Sequence, residues 1–535
     1  MFALAILIGL YSYLIFFLGI SGLLYKNVVF ALSSLYFIIG VILFRDKLTV
    51  FLKNLKKTFY LRDKFSLILI FFLIVQIIVN FIGVLGPEIG FDALWYHLTL
   101  PKIYITYHSI FNIPGNLLYY SDMPKLTEMI YVPALMFGNS TLAKFTHFIF
   151  GILVLFVLYR LSRKFLPRNF SLLVLLVFYS NLVVGWETIS AYIDLSRTFF
   201  ELTALFGFIE WLEQKNSKKL ILSALMLGFA VSAKVLALES LLIFLILLFI
   251  IALKEKIRLF IFLKNSFLFI FFSLAVPLPW FIFSFINTGN PLYPFFDNSV
   301  NTGTNFSIPD VLNFPKDIIN LFLFSSDPIS PFYLISVPLV LLIIFKTGKR
   351  IKIIFAYSLL ALFFWYITPR VGGGRFILPY LPAFSFISVY AVFFIKNKNL
   401  KWFLVFVIFI IFFSSVGYRF MANKRFIPVI LGKESKSSYL TAHLNFSYGD
   451  FYDTDGYFAS HIKKSDNVLL YGFHNLYYVD FPFTDSTWVR KGDKFNYIAT
   501  QNTVLPSKFN SWVLVYVNPV THVKLYKDGG KEWVY

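Results

Sequence analysis

Long apolar runs recur through the first three quarters of the chain, and they leave few architectures open. They fall at about 2–24, 27–44, 66–86, 141–160, 170–187, 195–213, 219–233, 236–253, 262–286, 331–346, 351–368, 376–395 and 401–417. Most approach the roughly 20 residues a helix needs to cross a bilayer. A soluble domain carries about 25% charged residues; here only 14% of 535 residues are charged and 58% are hydrophobic. The pattern predicts an all-α polytopic membrane protein with about thirteen transmembrane helices, spanning residues 1–417. The first run has no basic leader and no small-residue cleavage site, so it reads as a span rather than a signal peptide.

The formal net charge is +21. Loops 45–64, 160–168 and 346–352 are strongly basic, and 214–219, 254–264 and 396–401 are lysine-rich. Basic loops stay in the cytoplasm. An even number of spans separates successive basic loops, provided that 219–253 is two short helices. This places the N-terminus in the cytoplasm and puts 87–140, 187–195, the turn near 234–239, 287–330, 369–375 and everything after 418 on the outer face of a cell membrane. Basic loops account for most of the charge, so no nucleic-acid partner is expected. Cysteine is absent, which excludes disulfides and thiolate metal sites.

Loop 87–140 has helix-like apolar spacing and reads as two short helices on the membrane surface. Beyond 418 the apolar runs shorten to strand length at 467–472, 476–479 and 512–517, after a helix-like stretch at 451–464. Residues 418–535 therefore form a small extracytoplasmic α/β domain.

The unusual polar clusters all fall on the outer side. In the first, Asp92 and Tyr96 share a helix face with Trp95, followed by His97 and Lys102. Asp92 suits a general base or metal ligand, but also a helix N-cap; Glu88 and His97 equally suit structural roles. No zinc-ligand spacing is present. In the second, Asp122 and Lys125 precede a short helix, and the lysine could hold a phosphate as a point charge. In the third, Asp194, Arg197 and Glu201 form one helix face running into a span, either a functional stripe or a structural ladder. Lys234 and Glu239 sit at a helix break of the kind that lines cavities. Last, Thr368-Pro369-Arg370-Val371-Gly372-Gly373-Gly374-Arg375 precedes a helix. It is either a flexible loop or an anion cradle completed by an arginine fork.

Four stretches together resemble the GT-C superfamily of polytopic glycosyltransferases that use polyprenyl-phosphate-linked sugars, in particular the protein O-mannosyltransferase and aminoarabinose-transferase type. They are Gly90-Phe91-Asp92 with Tyr96-His97, Ser121-Asp122-Met123-Pro124-Lys125-Leu126, Ala191-Tyr192-Ile193-Asp194-Leu195, and Arg375-Phe376-Ile377-Leu378-Pro379-Tyr380-Leu381-Pro382. Thr288-Gly289-Asn290-Pro291-Leu292-Tyr293-Pro294 is similar to a loop of bacterial members. The second motif departs from the family's Glu-Lys-Pro-Pro form. The resemblance implies inverting transfer of a sugar from a polyprenyl phosphate to a lipid, glycan or protein acceptor on the outer face. Of the two catalytic carboxylates, Asp92 would be the base that activates or positions the acceptor hydroxyl or amine, and Asp194 a second site acid. Lys125 and Arg375 would hold the donor phosphate, with Arg197, Lys234, Tyr96, His97 and Asp122 as further binding residues. Asp92 and Asp194 could also carry a divalent cation, Mg or Mn, since two carboxylates facing a phosphate permit one. A transporter or lipid flippase, and a surface-polysaccharide polymerase or ligase, are the alternatives. A single helix break, a large outer domain and clusters confined to one face favour an enzyme over a transporter.

Overall fold

The structure is a computed structural model. It describes residues 1–58, 63–296, 313–325, 327–368, 373–528 and 533–534, with backbone only for 46–58 and 533–534. Lys47, Lys53, Lys56, Lys57 and Arg62 of the first basic loop, and Pro369, Arg370, Val371 and Gly372 of the glycine-rich stretch, lie outside the described side chains.

Each of the thirteen apolar runs is helical, but they differ in kind. Among the described residues, eight helices are long and apolar enough to cross a membrane: Phe2–Ile20, Lys26–Arg45, Lys64–Leu85, Ser140–Ser162, Val235–Lys254, Lys349–Ile367, Gly374–Phe394 and Lys398–Ile430. A pair bent by 59°, Leu259–Ala275 with Leu278–Thr288, makes a ninth. The rest are shorter, such as Arg168–Tyr179 and Phe332–Ile344, or carry charge. Asp194–Gln214 holds Asp194, Arg197, Glu201, Glu210 and Glu213, and nearly all of it is buried. A helix covered on all sides can carry such groups only if they pair within the protein. It packs against Ser140–Ser162 and Ser217–Ala233 as the central helix of a multi-pass membrane protein. By contrast, Lys26–Arg45 leaves Phe30, Phe37, Ile38, Ile42 and Leu43 exposed, the surface of a peripheral, lipid-facing helix.

The helix break expected near 234 is present. Ser217–Ala233 ends at Lys234, a single turn covers Val235–Ala237, and Leu238–Lys254 follows. At the end of Lys64–Leu85, the buried Lys144 Nζ donates to the carbonyls of Gly83, Gly86 and Pro87 at 2.9, 2.8 and 3.3 Å. It satisfies carbonyls that a helix C-terminus leaves open, and so fixes where the next segment begins.

That segment, the first long loop, holds a π-helical turn at Ala93–His97, a helix at Thr99–Tyr107, a 3-10 turn at Tyr119–Asp122 and a helix at Leu126–Phe137. The second of the two expected surface helices is not peripheral. Leu126, Met129 and Val132 are buried, and the helix packs on Phe2–Ile20 and Ser140–Ser162.

The last transmembrane helix runs on to Asn423, past the expected boundary at 417. Short helices at Lys436–His443 and Tyr457–His461 precede a five-stranded sheet. Its strands lie in the order Phe483–Asp485, Val468–Tyr471, Tyr497–Thr500, Lys524–Lys527, Val513–Val517; the first three are parallel and the last two antiparallel. Two expectations fail locally. Residues 476–479 form a turn instead of a strand, and the helix within 451–464 is only Tyr457–His461. The Leu-Tyr-Tyr-Val run is apolar because it docks on the first loop. Tyr477 N–H donates to the Leu94 carbonyl at 3.2 Å, and Tyr478 OH to the Glu88 carbonyl at 2.8 Å.

Candidate active site

Four separated segments deliver charged side chains to one end of the helical bundle. The first is positioned by Glu88. Its Oε1 accepts from Ile89 and Gly90 N–H at 2.9 and 2.7 Å, while Oε2 accepts from Ala191 N–H at 2.7 Å. Glu88 thus ties the turn before Asp92 to the turn before Asp194. Asp92 does precede a helical turn, but its side chain makes no capping bond. Its Oδ2 instead accepts from Arg375 Nη1 at 2.5 Å and Tyr96 OH at 3.2 Å.

Arg375 is the hub. Its Nε donates to Asp194 Oδ2 at 2.9 Å and lies 3.1 Å from Glu187 Oε1. Its guanidinium sits over the Tyr192 ring, 4.4 Å from the centroid. Lys234, at the helix break, donates to Asp194 Oδ1 at 2.7 Å. Three carboxylates therefore face two cations. Their exposures show which side is open: Asp194 and Glu187 are 1% and 0% exposed, whereas Asp92, Arg375 and Lys234 are 17%, 13% and 15% exposed. The last three face the open side, and the first two hold the cations from behind. Burial opposes charge on Asp92, but Arg375, His97 and Lys234 outweigh it and pull the carboxyl below its ordinary 3.8.

The other expected binding residues are drawn into different pairings. Tyr96 stacks flat on Tyr120 at 3.6 Å while bonding Asp92. His97 Nδ1 pairs with Glu128 Oε1 at 2.8 Å, fully buried. Asp122 accepts from Asn112, Ser121 and Asn287 side chains at 2.6, 2.9 and 3.0 Å. Lys125 is 2% exposed and donates to the carbonyls of Tyr120, Ser121 and Met123 at 3.2, 2.5 and 2.5 Å. An ammonium has three hydrogens, so none is left for a phosphate in this arrangement. Burial lowers its pKa to about 8, against the pull of Asp122 and Glu128. Arg197 turns deeper into the bundle. Its Nε donates to Glu201 at 2.5 Å and its Nη2 to Tyr380 OH at 3.2 Å, and Ser240 Oγ donates to Glu201 at 2.6 Å. The charged stripe 194–197–201 is therefore split. Asp194 serves the open cluster, and Arg197–Glu201 ties together, farther along the same helix, the elements that carry Asp194, Lys234 and Arg375.

On Asp92 and Asp194, where a divalent cation was expected, side-chain cations stand in this arrangement. Asp92 Oδ2 and both oxygens of Asp194 are taken by Arg375 and Lys234. Among the described residues no three His, Asp or Glu side chains gather as a metal centre requires.

Four site residues were not anticipated from the sequence. Glu187 stands at the end of an apolar run and Tyr192 beside Asp194. His147 lies within a span; the rule that intramembrane ionisable residues are functional or paired would have singled it out. Its Nδ1 lies 2.9 Å from the carbonyls of both Glu187 and Ser190, and Leu195 N–H donates to its Nε2 at 3.1 Å. These partners fix Nδ1 as the protonated nitrogen. His147 therefore holds the 187–195 turn that carries Glu187 and Asp194. His147→Ala is expected to lower stability by about 2–3 kcal/mol, because it orphans buried backbone groups; a thermal melt of the purified protein checks this. The fourth is His474 of the C-terminal region, which stacks on Phe91 at 5.1 Å beside Asp92 and packs on Trp95 at 4.5 Å.

No protein-family model and no curated protein matches the sequence. Solved structures do. ArnT from Cupriavidus metallidurans bound to undecaprenyl phosphate is similar with a TM-score of 0.58 and 12% identity, covering 86% of this chain and 99% of that one. The same enzyme in its apo state gives 0.58 and 11%, with the same coverage. The Archaeoglobus fulgidus oligosaccharyltransferase, with Zn and sulfate, gives 0.48 and 12%, covering 85% and 73%. With nearly the whole of ArnT matched, the chain has the fold of that protein.

Proposed function

We propose that the chain is an integral-membrane glycosyltransferase that moves a sugar from a polyprenyl-phosphate donor to a hydroxyl or amine acceptor, with inversion at the anomeric carbon. The carrying observation is the convergence of Asp92, Arg375, Asp194 and Lys234 from four segments at one open end of a GT-C fold. The basic loops support an orientation with the N-terminus in the cytoplasm, and the site and C-terminal domain outside.

The chemistry follows from what each group has left to offer. Arg375 has five N–H donors, and two nitrogens serve carboxylates. Lys234 gives one hydrogen to Asp194. The remaining donors hold the donor phosphate and stabilise the charge that grows on it as the sugar–phosphate bond breaks. Asp92 keeps Oδ1 free among the described contacts, while Arg375 and Tyr96 hold Oδ2. Oδ1 orients the acceptor O–H or N–H and takes its proton as the new bond forms at the anomeric carbon. The lipid phosphate leaves with the electrons of the old bond. A carboxylate with a depressed pKa is a weak base, but a phosphate is a ready leaving group, so positioning carries most of the effect.

The two cations supply the positive charge that a metal would bring. Turnover is therefore expected to persist within about twofold in excess EDTA; a tenfold loss restored by Mg or Mn would mean that a metal carries part of the barrier. The anomeric configuration of the product, read by NMR, tests inversion. A product that keeps the donor's configuration would rule out the single displacement.

A further inference from the structure

A groove of about 900 Å³ runs between the first long loop and the C-terminal region, lined by residues from 99–114 and from 464–493. None of the four clustered charges lines it. Its two walls are locked together at separate points. Lys102 Nζ donates across to the carbonyls of Tyr477 and Val479 at 2.7 and 2.8 Å and to Asp480 at 2.5 Å. Farther along, Gly115 has φ +88°, and a Cβ there would stand 2.0 Å from the Thr487 carbonyl oxygen. Only a glycine permits that approach. The groove is thus pre-formed rather than made on binding, which lowers the ordering cost for a ligand.

Its lining alternates flat apolar faces with charged tips. Trp488, Phe481 and Phe483 are half-buried, and Tyr107 is 62% exposed. Arg490 and Asp493 stand among them. Aromatic faces pack against the C–H faces of sugar rings, and charged or amide tips take their hydroxyls; one groove with both suits a polyhydroxylated ring chain better than a lipid tail. A peptide could instead add to the sheet edge that enters the groove. That edge strand, Phe483–Asp485, is three residues long and follows Pro482, which blunts it for strand addition.

We propose that this groove binds a chain of sugar rings, and that it holds the glycan part of the acceptor. The second half rests on the transferase reading above; the first does not. The segment that builds one wall also carries Asp92, and the opposing region places His474 against Phe91 beside Asp92. A glycan held in the groove is therefore held by the same two segments that frame the reacting end.

The test uses the full-length chain in nanodiscs, fluorescently labelled, on arrays of free oligosaccharides, lipid-linked oligosaccharides and peptides. Wild type is expected to retain oligosaccharides of several rings. Trp488→Ala should weaken retention by about tenfold or more and Trp488→Phe by less than about threefold, since the phenyl face still stacks. Retention of free and lipid-linked forms alike assigns recognition to the rings alone; retention of lipid-linked forms only, still sensitive to Trp488, assigns it to a lipid-borne glycan. Either supports the proposal. No glycan retained by wild type, equal retention by Trp488→Ala, or Trp488-dependent retention of peptides instead would overturn it. Glycan binding without any sugar transfer would leave the groove standing and remove the transferase reading.

Discussion

Arg375→Ala is expected to lower sugar transfer by about 10³-fold, the loss seen when a preorganised charge is removed from a developing anion. The guanidinium bridges Asp92 and Asp194 and approaches Glu187. Among the described residues, its removal leaves Glu187 and Asp92 without a cation in contact, while Asp194 keeps Lys234. Breaking a buried charge pair costs about 3–5 kcal/mol, so the variant should also melt earlier. Arg375→Lys should restore the charge but little of the activity. A single ammonium cannot reach two carboxylates and a phosphate along a planar fork. Turnover and melting temperature of the three proteins, side by side, check both effects. A lysine variant with near-normal turnover would show that the fork is dispensable.

Asp92→Asn is expected to cost far more in catalysis than in stability. The amide keeps an oxygen for Tyr96 and Arg375, and Asp194 and Glu187 still neutralise the arginine. Turnover should fall by about 10²–10⁴-fold, the range for a missing proton acceptor, with donor binding retained. Asp194→Asn should behave differently. Its carboxylate is 1% exposed between two cations, so its loss leaves charge unpaired behind the site and lowers stability as well. The pH dependence follows from the depressed pKa of Asp92. The stability from its pair with Arg375 is present above 3.8, the ordinary value, and is lost only as pH falls through the lower folded value. The acid limb of turnover due to Asp92 should therefore lie below 3.8. An acid limb between pH 5 and 7 that disappears in Asp92→Asn would contradict this assignment.

The helical membrane architecture was legible because hydrophobicity over about 20 residues is a local property. Helix covering was not: the charges of Asp194–Gln214 were visible in the sequence, but not that nearly all of the helix is buried at the centre. Asp92, Asp194, Lys234 and Arg375 all stood out as charges at helix ends, and the structure brings these four together. Lys125, Arg197, Asp122 and His97 stood out by the same signal, but each found a nearer partner. Lys125 turns to three carbonyls beside it in sequence, and Arg197 to Glu201 one turn on. Spacing along a helix shows which residues share a face; it does not show which neighbour that face meets. For the same reason the 476–479 run, apolar enough for a strand, became a turn pressed on the first loop. His474 carried no signal at all, because its importance lies in a contact with Phe91 nearly four hundred residues earlier.

The most direct measurement follows radiolabel from a polyprenyl-phosphate sugar incubated with the purified chain and extracted envelope acceptors. The expected result is label transferred to an acceptor by the wild type, with transfer lost in Asp92→Asn and Arg375→Ala while Asp92→Asn still binds the donor. Donor binding with label merely carried across a vesicle membrane, or transfer undiminished in the two variants, would contradict the account.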